Sequence, residues 1–136
     1  MKREGWESEL SALVARYRDE PPALGCLMAA DWVSRVTDYT PPKYMMSAKT
    51  VRSALKALKQ YGGDNLLATA YKMADMVGAT EVAVKRAQRG DVMAFACDAP
   101  FDAALGVCIG KDAVVTLPDG TTGLVPTQTA IIAWRL

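Results

Sequence analysis

Apolar positions recur every three or four residues up to about Thr80, and beyond it they run together in short uninterrupted stretches. The first rhythm predicts helices. Glu7 to Arg18 places Trp6, Leu10, Leu13, Val14 and Tyr17 on one stripe, and Pro21-Pro22 stops it. The next helix starts at Cys26 and runs to about Val36. Its opening, Leu24-Gly25-Cys26-Leu27-Met28-Ala29-Ala30-Asp31-Trp32-Val33, is apolar around almost the whole circumference, so it reads as a buried central helix. Thr37 to Pro42 is a loop, and Lys43 to Ser47 is irregular with at most a short turn. Helical spacing returns from Ala48 to Tyr61, with Val51, Ala54, Leu55, Leu58 and Tyr61 opposite Lys49, Arg52, Lys56 and Lys59. Gly62-Gly63 ends that helix, Asp64 is placed to cap the next, and Gly78 closes it after Leu66, Leu67, Ala70, Ala74 and Val77.

The second rhythm predicts strands. Val82 to Gln88 is ambiguous and Arg89-Gly90-Asp91 is a turn. Val92 to Cys97 is a buried strand, broken by Asp98-Ala99-Pro100. Ala104 to Ile109 and Ala113 to Leu117 are two more, joined through Gly110-Lys111-Asp112. A short fourth spans Gly123 to Pro126 and a fifth Ala130 to Leu136. Helices followed by a meander of strands predict an α+β fold. The N-terminal helices pack on one face of a C-terminal antiparallel sheet of about five short strands, in a single domain over residues 1–136.

Composition narrows the chemistry. Apolar residues make up 51% of the 136, enough for one core, and the net charge of +1 sets up no global field toward nucleic acid or membrane. No apolar run reaches the length of a membrane span, and Met1-Lys2-Arg3-Glu4-Gly5 leads into an amphipathic segment and not a signal peptide. Three widely spaced cysteines make neither a disulfide framework nor a metal site, and a reducing interior is the expected place of synthesis. The chain has no histidine, so the commonest general base and metal ligand are missing. No cofactor is expected.

The ordered motifs then carry a resemblance. A cysteine opens a helix, Arg89-Gly90-Asp91-Val92 enters a strand, and Ala104-Leu105-Gly106-Val107-Cys108-Ile109-Gly110 follows. This resembles the NlpC/P60 branch of the papain-like cysteine peptidases. It also resembles a family of small phage and prophage proteins encoded among tail genes. Those share a Cys-x-x-x-x-Asp-Trp helix (Cys26, Asp31, Trp32), the Arg-Gly-Asp-Val turn, a Gly-Leu-Val segment and an Ala-Trp-Arg end (Ala133, Trp134, Arg135). The match spans roughly residue 20 to the C-terminus. It implies an NlpC/P60-like topology and a tail-assembly or tail-tip role, exercised by binding other tail proteins. The implied setting is the cytoplasm of a bacterial host during assembly, then the virion tail. The peptidases carry their catalytic histidine where this chain has Ala104. The resemblance therefore implies a degenerate, non-hydrolytic domain, with a cysteine hydrolase of cell-wall peptides or related amides as the alternative.

Each candidate residue has two readings. Cys26, in a first helical turn, is where a nucleophile would stand, or it is a small packed residue. Its available partners are Asp98 and Asp102. Asp31, the one acid of the central helix, is a site carboxylate or an anchor bonded to backbone or to an arginine such as Arg35 or Arg135. Cys97 and Cys108 are core residues. Lys49, Arg52, Lys56 and Lys59, with Lys43 upstream, form a basic face with no interleaved aromatic. That face reads as solvated surface first, a dock for an acidic partner second and a nucleic-acid contact last. Trp134 is expected to close the core.

Overall fold

The computed structural model describes residues 2–19, 25–47, 50–62, 65–97, 101–116 and 122–136. Five helices come first: α1 (Trp6–Asp19), α2 (Gly25–Val36), α3 (Lys43–Met46), α4 (Val51–Tyr61) and α5 (Leu66–Val77). Local chemistry sets several of their ends. Thr50 caps α4 in a reciprocal pair with Ser53, so the helix starts three residues later than its spacing suggested. Asn65 caps α5 through Ala68 N–H, and Asp64, expected in that role, lies outside the described residues. Residues 43–46 form a short helix where irregular chain was expected.

Six strands follow: β1 (Thr80–Val82), β2 (Val92–Ala96), β3 (Ala103–Cys108), β4 (Asp112–Thr116), β5 (Thr122–Pro126) and β6 (Ile132–Arg135). They form one antiparallel sheet in the order β1-β6-β2-β3-β4-β5. The extra strand is β1, three residues with Glu81 at the centre. Its extended form comes from pairing with Ala133, Trp134 and Arg135, a contact local spacing does not contain.

All five helices contribute to the cluster on one sheet face. Met28, Trp32, Val33 and Val36 of α2 meet Leu10, Leu13 and Tyr17 of α1 there, above Val92, Leu105, Val107 and Trp134. The opposite face holds a second, smaller core of Met93, Phe95, Ala104, Cys108, Ala113, Val115 and Ala133. It is covered by turns: the 3-10 segments Val84–Arg86 and Thr127–Thr129 approach each other across it. Burial on both faces explains why β2, β3 and β4 read as continuous apolar runs without alternation. Close strand packing requires glycine at 106. A Cβ there would sit 2.6 Å from both the Val114 carbonyl oxygen and Val115 Cγ2.

Candidate functional site

Most of the motif residues meet at one end of the sheet. Trp32 of α2 is fully buried, and its indole N–H donates to the Gly90 carbonyl at 2.8 Å. Gly90 has φ +92° and packs under Trp6, 3.1 Å from where a Cβ would stand, so the turn needs glycine for both conformation and space. The same turn is tied to β3 by Gly90 N–H to Cys108 O (2.8 Å) and Cys108 N–H to Asp91 O (2.8 Å). Asp91 is 0% exposed. It accepts from Arg135 Nε at 3.2 Å, Arg135 Nη2 at 2.9 Å and Gln88 N–H at 2.8 Å. Those bonds to Asp91 hold the Arg135 guanidinium above its ordinary pKa, and Nη2 also reaches the Arg86 carbonyl at 3.0 Å.

Asp31 is the second buried carboxylate, 7% exposed. Its Oδ1 accepts from Arg35 Nε at 3.0 Å, and its Oδ2 from Arg16 Nη1 at 3.1 Å and Tyr17 Oη at 2.8 Å. Of the two arginines named for it, Asp31 bonds Arg35, while Arg135 bonds Asp91. Burial, reinforced by the bond to Asp31, pushes the Tyr17 hydroxyl well up. For Arg35, burial opposes the charge, but the bond to Asp31 and the neighbouring Glu9, 3.4 Å away, more than offset it and raise its pKa. Both carboxylates are therefore paired with arginine.

Cys26 is the second residue of α2, and its side chain, like Asp98, lies outside the described residues. Asp102 is exposed in the turn between β2 and β3, with φ +60°, a conformation aspartate tolerates. Ala104 pairs with Phe95 and faces the smaller core, on the side of the sheet away from α2. A histidine at that position would enter the second core and not look toward the helix. Cys108 is buried, which raises its thiol pKa, and Cys97 is half-buried. Among the described residues, no group of three Cys, Asp or Glu side chains is placed to hold a metal ion.

A family profile described as a domain of unknown function, DUF6950, matches residues 1–136. The chain belongs to the DUF6950 family. No curated protein and no solved structure matches it.

This DUF6950 domain carries its basic face as expected on the outside of α4. Arg52, Lys56 and Lys59 are exposed, as is Lys43 on α3, while Lys49 lies outside the described residues. No helix among the described residues is long and apolar enough to cross a membrane. Sequence reasoning missed the Asp91–Arg135 pair, although it quoted both residues in separate motifs. It also missed Arg16 and Tyr17 as partners of Asp31. A second unforeseen network joins the helices: Tyr39 and Tyr61 share a hydrogen bond at 2.8 Å, and Tyr61 Oη donates to Met76 Sδ at 3.2 Å. Lys72 Nζ donates to the Tyr61 carbonyl at 2.7 Å. The spacing of these residues held no signal for those contacts.

Proposed function

We propose that this domain is a non-hydrolytic binding module, a tail-assembly or tail-tip protein of a phage or prophage with a degenerate NlpC/P60-like fold. One observation carries the non-hydrolytic part. The buried acids within the motifs, Asp31 and Asp91, are each bonded to arginine at 2.9 to 3.2 Å in a chain without histidine. A cysteine hydrolase needs a base beside the thiol and an acid for the leaving amine. The motifs instead secure the fold: Trp32 to Gly90, and Asp91 to Arg135. The orientation of Ala104 supports the same reading, since that position serves the second core. The tail setting, in a bacterial host cytoplasm during assembly, rests on the resemblance in motif order.

The test has two arms. Mass spectrometry of purified particles should find the protein in fixed stoichiometry, or affinity purification should recover it on another tail protein. The purified domain should leave peptidoglycan and peptide amides intact. Cleavage that disappears in Cys26→Ala would replace this reading with the hydrolase, whose support is the position of Cys26 in the first turn of α2.

A further inference from the structure

The outer face of α4 carries charge of one sign. Ala54, Ala57, Leu58 and Tyr61 are buried, which leaves Arg52, Lys56 and Lys59 exposed on the opposite side. At about 100° per residue these cations fall in one narrow stripe, spread over about 10 Å of the helix axis. Arg3, Arg16, Arg35 and Arg135 each pair with an acid: Asp38, Asp31, Asp31 and Asp91. The α4 cations do not. Among the described residues no hydrogen bond or ion pair engages Arg52, Lys56 or Lys59, and the chain has no Asp or Glu between Asp38 and Asp64. Like charges three and four positions apart on a helix repel, so the stripe opposes α4 until an anion neutralises it. Leu55 borders the stripe and is 38% exposed. The neighbouring helix α3 packs against α4 and adds an exposed Lys43.

We propose that this face docks an acidic helix of a partner protein, laid along α4 with carboxylates at matching intervals and an apolar side chain on Leu55. The three unpaired cations select the sign of the partner. Their straight row selects a helix, which repeats its side chains at the same spacing. Leu55 separates a protein from the other polyanions. A phosphate backbone offers nothing to cover it, and no aromatic stands in the stripe for a base to stack on. An anionic membrane calls for a broad apolar face beside the cations, whereas the apolar side of α4 is packed into the core. The proposal rests on the reading of the domain as a binding module and names the surface and the partner chemistry.

The test titrates the 15N-labelled full chain with an end-blocked helical peptide that carries glutamates at i, i+4 and i+7 and a leucine beside them. Saturable shifts are expected at the amides of Arg52 to Gln60, with affinity that falls as salt is added. Arg52→Glu and Lys56→Glu together should weaken binding roughly tenfold with the rest of the spectrum unchanged. The same double variant should gain binding to the counterpart peptide with lysine in place of glutamate. Leu55→Ala should weaken the glutamate peptide a few-fold. The proposal is overturned by an absence of saturable shifts, by shifts centred away from α4, or by equal binding of the lysine peptide to the unaltered chain. Equal binding of a proline-interrupted peptide of the same composition overturns the helix. Tighter binding of duplex DNA or of phosphatidylglycerol vesicles overturns the choice of a protein. The same samples are read by mass spectrometry. Cleavage of the peptide that is lost in Cys26→Ala overturns the non-hydrolytic reading, and failure to bind overturns the α4 dock alone.

Discussion

Replacing Asp91 by alanine tests whether the motif residues act as structural ties. The carboxylate is fully buried and accepts two bonds from Arg135 and one from the Gln88 backbone. Bonds to charged groups contribute ~1.5–3 kcal/mol each, and breaking a buried ion pair costs ~3–5 kcal/mol because one charge is left unpaired. Which charge is left decides the magnitude. Arg135 keeps 32% of its side chain exposed, so after Asp91→Ala the guanidinium turns to water and the loss falls at the low end, about 3 kcal/mol. Arg135→Ala leaves the fully buried Asp91 carboxylate without its ion-pair partner, and should cost about 4 kcal/mol. The two changes share one interaction, so the double variant should be about 2 kcal/mol less destabilised than their sum. Urea unfolding followed by tryptophan fluorescence reads this directly, since Trp32 and Trp134 are both buried and adjoin the pair. A loss below ~1 kcal/mol for Asp91→Ala, or additive single changes, would refute the tie.

Three further outcomes follow from the same geometry. Gly106→Ala should destabilise by more than ~3 kcal/mol or prevent folding, because its Cβ would meet the Val114 carbonyl and Val115 Cγ2 at 2.6 Å; a soluble variant with unchanged urea midpoint would contradict the strand spacing. Tyr17 and Tyr61 are both raised above the ordinary phenol value, mainly by burial, so the unfolded chain loses these protons first as pH rises. Stability should then fall above about pH 10, by ~1.4 kcal/mol per pH unit for each tyrosine, and Tyr17→Phe should flatten that slope when urea midpoints are compared across alkaline pH. Arg52→Glu and Lys56→Glu, on the exposed face of α4, should shift stability by less than ~0.5 kcal/mol; a larger loss would show that this face is packed and not solvated.

By itself the sequence determined what depends on neighbours along the chain. Helical spacing marked α1, α2, α4 and α5, left-handed glycines closed α4 and α5 at Gly62 and Gly78, and short apolar runs marked β2 to β6. These signals reach only a few residues, so the α+β class was legible and the pairing was not. Tertiary structure alone decided that β1 is a strand, because its partner lies in the last residues of the chain. It alone chose Arg35, Arg16 and Tyr17 for Asp31, and joined Asp91 to Arg135 across 44 positions. It also decided that Ala104 faces away from α2. A strand buried on both faces shows no alternation, so its sequence does not say which side chain meets the helices. Once the strands pair, the period of two assigns every residue on β3 to one core or the other, and Ala104 falls in the one away from α2.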